Sequence, residues 1–266
     1  MKTNMTKVVL TGMFQFAFLA FILGSNAWPF NWLGFYKASE LTFAENKCQV
    51  NDYSGRINKR VLFLAQADNV KYMFRKDGIT MQVSRPGAWF ESENTVDSPY
   101  TGTVRKVDLF WEGANKSAEV YGAEELNIQV LKLQGATPLK DCQIRNYRKL
   151  YYTEIYPGID LLYCDRDNRL KYDFQIRPEF DYKEIRMRID GAQQIYVNAF
   201  GQLVVKTSAG EILEAAPLAM QAGKPLVAKW VVQDDIVSID VPDYDPAKEL
   251  TIQSTLFFRG QGDPKL

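Results

Sequence analysis

Residues 151–176 read YYTEIYPGIDLLYCDRDNRLKYDFQI. An apolar-aromatic run is cut at Tyr156-Pro157-Gly158, where Pro157 presets φ for the first corner of a type II turn and Gly158 supplies the positive φ of the second. Ile159 to Cys164 then form an almost continuous apolar strand. A polar loop, Asp165 to Arg169, follows, and Leu170, Tyr172, Phe174 and Ile176 alternate as the inward face of a half-buried strand. The pattern is that of an antiparallel meander, and backbone geometry accounts for its turn residues. Asp160, one step past the turn, is read as a cap for turn amides.

The same punctuation recurs on both sides. Upstream, Val61–Ala65, Val70–Phe74 and Ile79–Val83 read as strands, the last two joined by a tight turn at Asp77-Gly78. Val104–Trp111 alternates imperfectly as a half-buried strand would, and Glu112–Asn115 is a turn. Residues 119–133 fit either strand or a short helix and are read as strand. Downstream, Asp190-Gly191, Asn198–Gly201 and Ser208–Gly210 separate short strands at roughly ten-residue spacing, the rhythm of an all-β domain. The expected architecture is an antiparallel, β-sandwich-like fold of two packed β subdomains, residues 28–150 and 151–258, with a tail at 259–266.

Composition narrows the chemistry. The 266 residues carry 32 Lys+Arg and 32 Asp+Glu. This balance gives no electrostatic footprint for nucleic acid or an anionic membrane. Aromatics make up 13% and favour strands. Histidine is absent, which removes Ser-His-Asp and Cys-His catalysis and His-ligated metals. No cofactor is expected. The cysteines, Cys48, Cys142 and Cys164, show no C-x-x-C spacing.

Residues 1–27 read as a secretory signal. Lys2 and Lys7 precede an apolar core at 8–23, and Ser25 and Ala27 occupy the small-residue slots of a cleavage site. The core, about sixteen residues, is short for a membrane span, although an uncleaved anchor is the competing reading. A chain starting near Trp28 would be secreted, to the periplasm or the cell surface, with no stable span after cleavage. There a disulfide is permitted, and the choice lies between a Cys142–Cys164 bridge and three buried thiols.

Acidic clusters are weighed as sites. Asp165, Asp167 and Asn168 have the oxygen-rich spacing of a calcium loop but lack its Gly and its bidentate Glu, so an ordinary hairpin loop is expected and no metal site. Asp234-Asp235 and Asp240, Asp243, Asp245 read as turn residues. Asp160 and Asp173 could face each other as a glycosidase pair, although nothing in their spacing demands it. Exposed aromatics would be natural contacts for a partner, with Trp28, Trp32, Trp89 and Trp111 as candidates.

Glu154-Ile155-Tyr156-Pro157-Gly158-Ile159-Asp160-Leu161-Leu162-Tyr163, followed by Leu170-Lys171-Tyr172-Asp173-Phe174, resembles an uncharacterised N-terminal domain of bacterial surface proteins. That domain usually precedes seven-bladed β-propeller (SBBP) repeats or a gliding-motility-associated C-terminal domain. Trp111–Asn115, Asn146-Tyr147, Asp190-Gly191, Gly201–Leu203, Ala216–Gln221, Tyr244-Asp245 and Leu250–Ile252 match further pieces in order. The likeness covers roughly residues 41–258. Departures are Cys48 where the family has Gly and Ile252-Gln253-Ser254 where it closes on I-D-P. The resemblance implies no catalytic residues. The combined expectation is a non-catalytic cell-envelope module that binds an envelope protein or glycan, with a carboxylate-based polysaccharide hydrolase as the alternative.

Overall fold

The computed structural model describes residues 40–51, 54, 56–67, 70–84, 104–132 and 141–260. All of them lie in one compact unit, Ala38–Leu266. The expected signal segment and the candidate contacts Trp28, Trp32 and Trp89 lie outside the described residues. So do residues 261–266 of the tail. No helix among the described residues is long and apolar enough to cross a membrane.

The regular structure of the described chain is almost entirely strand, in antiparallel ladders. In order these are β1 (Phe43–Glu45), β2 (Phe63–Ala67), β3 (Val70–Arg75), β4 (Gly78–Ser84), β5 (Val104–Trp111), β6 (Glu119–Lys132), β7 (Asp141–Tyr156), β8 (Ile159–Asp165) and β9 (Leu170–Ile176). A short 3-10 turn at Tyr182–Glu184 leads to β10 (Arg186–Asp190), β11 (Gln194–Val197), β12 (Leu203–Lys206), β13 (Gly210–Glu214) and β14 (Leu218–Gln221). The chain ends with β15 (Lys224–Leu226), β16 (Lys229–Gln233), β17 (Ile236–Asp240) and β18 (Leu250–Gly260).

Two long strands organise the sheet. One edge of β7 pairs with β6, while its other edge is shared end to end by β8 and β1. Leu41 N–H donates to Asp165 Oδ1 at 3.3 Å where those two lanes meet. From β1 the ladder continues through β2, β3, β4, β5, β10 and β17 to β16. From β8 it continues through β9 to β18, which divides its far edge between β14 and β13, and from β13 through β12 to β11. The ends, β11 and β16, lie against each other, so the sheet curls nearly into a barrel.

Period-2 alternation decides what faces inward. The cross-strand row Leu150, Tyr163, Tyr172 and Ser254 is buried, as is the row Tyr152, Leu161, Phe174 and Ile252. The opposite wall meets them across the core: Phe74 on β3 stacks edge-on to Tyr163 at 5.1 Å, and Trp111 on β5 to Phe174 at 5.1 Å. Such aromatic pairs add about 0.5–1.5 kcal/mol each beyond the area they bury. One apolar cluster runs from Leu41 to Leu256 without a break at residue 150.

The turns follow their sequence chemistry with one shift. Gly158 has φ +71, and a Cβ there would strike the Phe180 ring, so the turn after Pro157 needs glycine twice over. Asp167 and Asn168 sit at φ +55 and +58 between mutual Arg166–Arg169 backbone bonds. This two-residue loop with both centres left-handed suits Asp and Asn, and it explains the pair without calcium. The expected Asp77-Gly78 turn falls one residue earlier, on Lys76-Asp77. Gly78 already pairs with Arg75, and a Cβ on it would lie 1.9 Å from Leu109 O.

The cysteine expectation is corrected. Cys142 is bonded to Cys48, with Cα atoms 6.4 Å apart, and Cys164 is free. Register explains it. Phe43 pairs with Tyr147 and Ala44 with Asn146, so continuing this antiparallel count brings Cys48 opposite Cys142. Cys164 instead pairs with Lys149 on β7, seven residues along from Cys142 and thus about 23 Å away, beyond disulfide reach.

Candidate functional site

The outward face of β1–β4 carries an open groove of about 600 Å3. Its floor follows from the ladder, because residues directly opposite share a face. One row is Ala44, Leu64, Met73 and the next is Gln66, Lys71, Gln82. Ile144 on β7 and Val50 extend the apolar part, and Thr42 and Glu40 line one end.

The wall is the segment after β1, residues 46–50. Asn46 Nδ2 donates to Asn58 O at 3.1 Å and Val61 O at 3.0 Å, and Asn46 Oδ1 accepts from Val50 N–H at 3.2 Å. Gln49 Oε1 accepts from Lys47 and Cys48 N–H, and its Nε2 donates to Glu45 O at 2.8 Å. The Cys48–Cys142 bond staples this wall to β7. Gln49 is therefore committed to the wall, which leaves Gln66 and Gln82 as the amides of the floor. A side-chain amide donates and accepts at once, the property needed to hold a hydroxyl or a peptide group. Glu40 is the only acid lining the groove among the described residues, and it pairs with Arg148.

The residues singled out from sequence are placed elsewhere. Pro157 and Gly158 build the turn, Ile159 enters the core, and Tyr156, Tyr172 and Phe174 are buried. Asp160 Oδ1 accepts from Glu154 N–H at 2.6 Å, and its Oδ2 lies 3.9 Å from Arg177. It caps an irregularity of β7 at which Glu154 has φ +51. Asp173 pairs with Lys171 at 2.6 Å. Asp160 and Asp173 both point outward on the β8–β9 ladder, diagonally related; Lys171 holds Asp173, while Arg177 bonds Glu154 and stands 3.9 Å from Asp160. Among the described residues no group of three or more acidic or sulfur ligands could hold a metal. Asp245 is a turn residue, its pKa drawn down by Lys248, and by the Ala247 N–H next. Trp111 is buried in the core, so it is no surface contact. Trp28, Trp32 and Trp89 lie outside the described residues.

Two polar features were not foreseen. On the outer face, Arg75 is buried between Asp77 Oδ1 at 3.0 Å and Asp108 Oδ1 at 3.1 Å, packs on the Phe110 ring and bonds Thr80. Burial pushes the Asp108 carboxyl up. The hydrogen bonds of Lys106 and Thr80 and the charges of Lys106 and Arg75 outweigh it, leaving the pKa below its usual value. In the core, Glu214 on β13 accepts from the Tyr172 hydroxyl and is 3% exposed. Desolvation pushes it up to about 7, against the opposing pull of Tyr172 and Ser254. A lone Glu between Leu213 and Ala215 gives no local sequence sign that it will be buried.

Fold and groove together define a class, an antiparallel all-β module with an open, amide-bearing face. The chain belongs to the family described as a domain of unknown function (DUF7948), whose model matches residues 43–253. Neither the curated proteins nor the solved structures include a match to the chain.

Proposed function

We propose that this protein is a secreted, non-catalytic module of the bacterial cell envelope whose β1–β4 groove binds a hydroxyl-rich envelope glycan. The observation that carries the reading is the floor row Gln66, Lys71, Gln82 beside the apolar row Ala44, Leu64, Met73. Amides and an ammonium answer hydroxyls, and the adjacent apolar strip answers the C–H face of a sugar ring. Secretion rests on the character of residues 1–27. The envelope setting rests on the resemblance of the Tyr156–Asp160 and Tyr172–Phe174 motifs to a domain that precedes SBBP or gliding-motility-associated modules. The two walls that meet through Phe74, Trp111, Tyr163 and Phe174 are read as a sandwich-like flattening of the curled sheet.

The hydrolase reading needs two carboxyl groups converging across a cleft. Asp160 and Asp173 lie diagonally on an outward sheet face, Asp173 held by Lys171 and Asp160 committed to the Glu154 N–H, which weighs against it. The test is retention of envelope glycans on the immobilised full chain, compared with a Gln66→Ala/Gln82→Ala double variant. Loss of both amides is expected to weaken binding about tenfold or more. Equal retention by the variant would sink the groove assignment.

A further inference from the structure

One end of the curled sheet gathers charge of a single sign. The turn before β2 brings Lys59 and Arg60, the β3–β4 turn brings Lys76 and Asp77, and the β5–β6 turn brings Ala114, Asn115 and Lys116. With Leu62 and Arg75 these residues line a recess of about 280 Å3. The lining holds five cations and one carboxylate, although the chain as a whole is balanced.

The single carboxylate is already engaged. Asp77 Oδ1 accepts from Arg75 Nε at 3.0 Å, and Oδ2 stands 3.9 Å from Arg60. Among the described residues Lys59, Lys76 and Lys116 have no acidic partner, and Lys76 Nζ reaches the backbone oxygen of Lys116 at 3.5 Å. Arg75 is buried and already held by Asp77 and Asp108, so the charge left without an acidic partner among the described residues is that of the three lysines. Clustered like charges repel, and that cost falls when an anion enters. Leu62 and Ala114 give the recess an apolar side on which the uncharged part of a ligand can rest.

We propose that this recess is an anion-binding site for a tetrahedral oxyanion, phosphate or sulfate, free or carried on a saccharide. A carboxylate has two oxygens in one plane and suits a single guanidinium fork. Cations arriving from three separate turns suit a group that offers oxygens in several directions. The site is distinct from the β1–β4 groove, and the inference does not rest on the glycan reading.

The test is calorimetric titration of the full chain at constant ionic strength with sodium phosphate, sodium sulfate, sodium acetate, a sulfated disaccharide and its unsulfated parent. The variant is Lys59→Gln/Lys76→Gln/Lys116→Gln, at three exposed positions, with circular dichroism to verify its fold. Lys229→Gln, at a surface ion pair with Asp240, is the control for net charge. Phosphate and sulfate are expected to bind the wild type and the control alike, and the triple variant about tenfold or more weakly. A sulfated disaccharide binding more tightly than free sulfate assigns the site to a carried group, and equal affinity assigns it to the free ion. No heat with either oxyanion, equal binding by the triple variant, or acetate binding as tightly as phosphate would overturn the proposal.

Discussion

Replacing Glu214 by Gln tests how the core is held together. The carboxyl is buried where β13 meets β12 and β18, bonded to Tyr172. Its pKa rises from an ordinary 4.5 to about 7 because burial disfavours the charged form. A raised acid binds its proton more tightly in the folded than in the unfolded chain. Its contribution to stability is therefore fully present below about pH 4.5, falls as pH rises, and is gone above about pH 7. The whole swing is about 3 kcal/mol. Gln keeps the shape and still accepts from Tyr172, but it does not titrate. Urea unfolding of both proteins between pH 4 and 8 isolates this group, because other carboxyls cancel in the difference. The stability of Glu214→Gln relative to wild type should climb by about 3 kcal/mol between pH 4.5 and 7.5 and then level. A difference that stays flat with pH would refute the burial argument.

Three further outcomes follow from the same structure. Peptide mapping without reduction should link Cys48 to Cys142 and leave Cys164 alkylatable; because the bonded residues are 94 apart, Cys48→Ser should destabilise the chain by about 4–5 kcal/mol in the loop-entropy account, seen as a lower Tm. Gly158→Ala places a Cβ against Phe180 at φ +71 and should cost at least about 1–3 kcal/mol in chemical denaturation. Asn168→Gly, at φ +58 in the β8–β9 turn, should be neutral or raise stability by a few tenths to about 1 kcal/mol, and calcium should leave the Tm of either form unchanged.

What could be read from the chain was local. The Tyr156-Pro157-Gly158 turn, the alternation of Leu170, Tyr172, Phe174 and Ile176, and the strand Val104–Trp111 each carry their own signal in a few residues. Residues 119–133 fit either strand or helix because 119–126 are mostly exposed and their apolar spacing is weak; pairing with β7, interrupted by a bulge between Glu125 and Ile128, settles 119–132 as strand. The disulfide was misread because Cys142 and Cys164 flank the same motif, whereas their strand register keeps them apart. Cys48 comes close through β1, a strand of three residues that sequence scarcely marks. The groove and the basic recess depend on residues from separate strands and turns meeting on one face. No window of sequence contains Gln66, Gln82 and Ile144 together, or Lys59, Lys76 and Lys116.

The most direct check on the central claim is mass spectrometry of envelope glycans incubated with the full chain, with bound and unbound fractions analysed separately. A binding module predicts glycan recovered from the bound fraction at its original mass, with retention reduced by the Gln66→Ala/Gln82→Ala change. Shortened fragments that disappear with Asp160→Asn or Asp173→Asn would contradict it and make the protein a hydrolase.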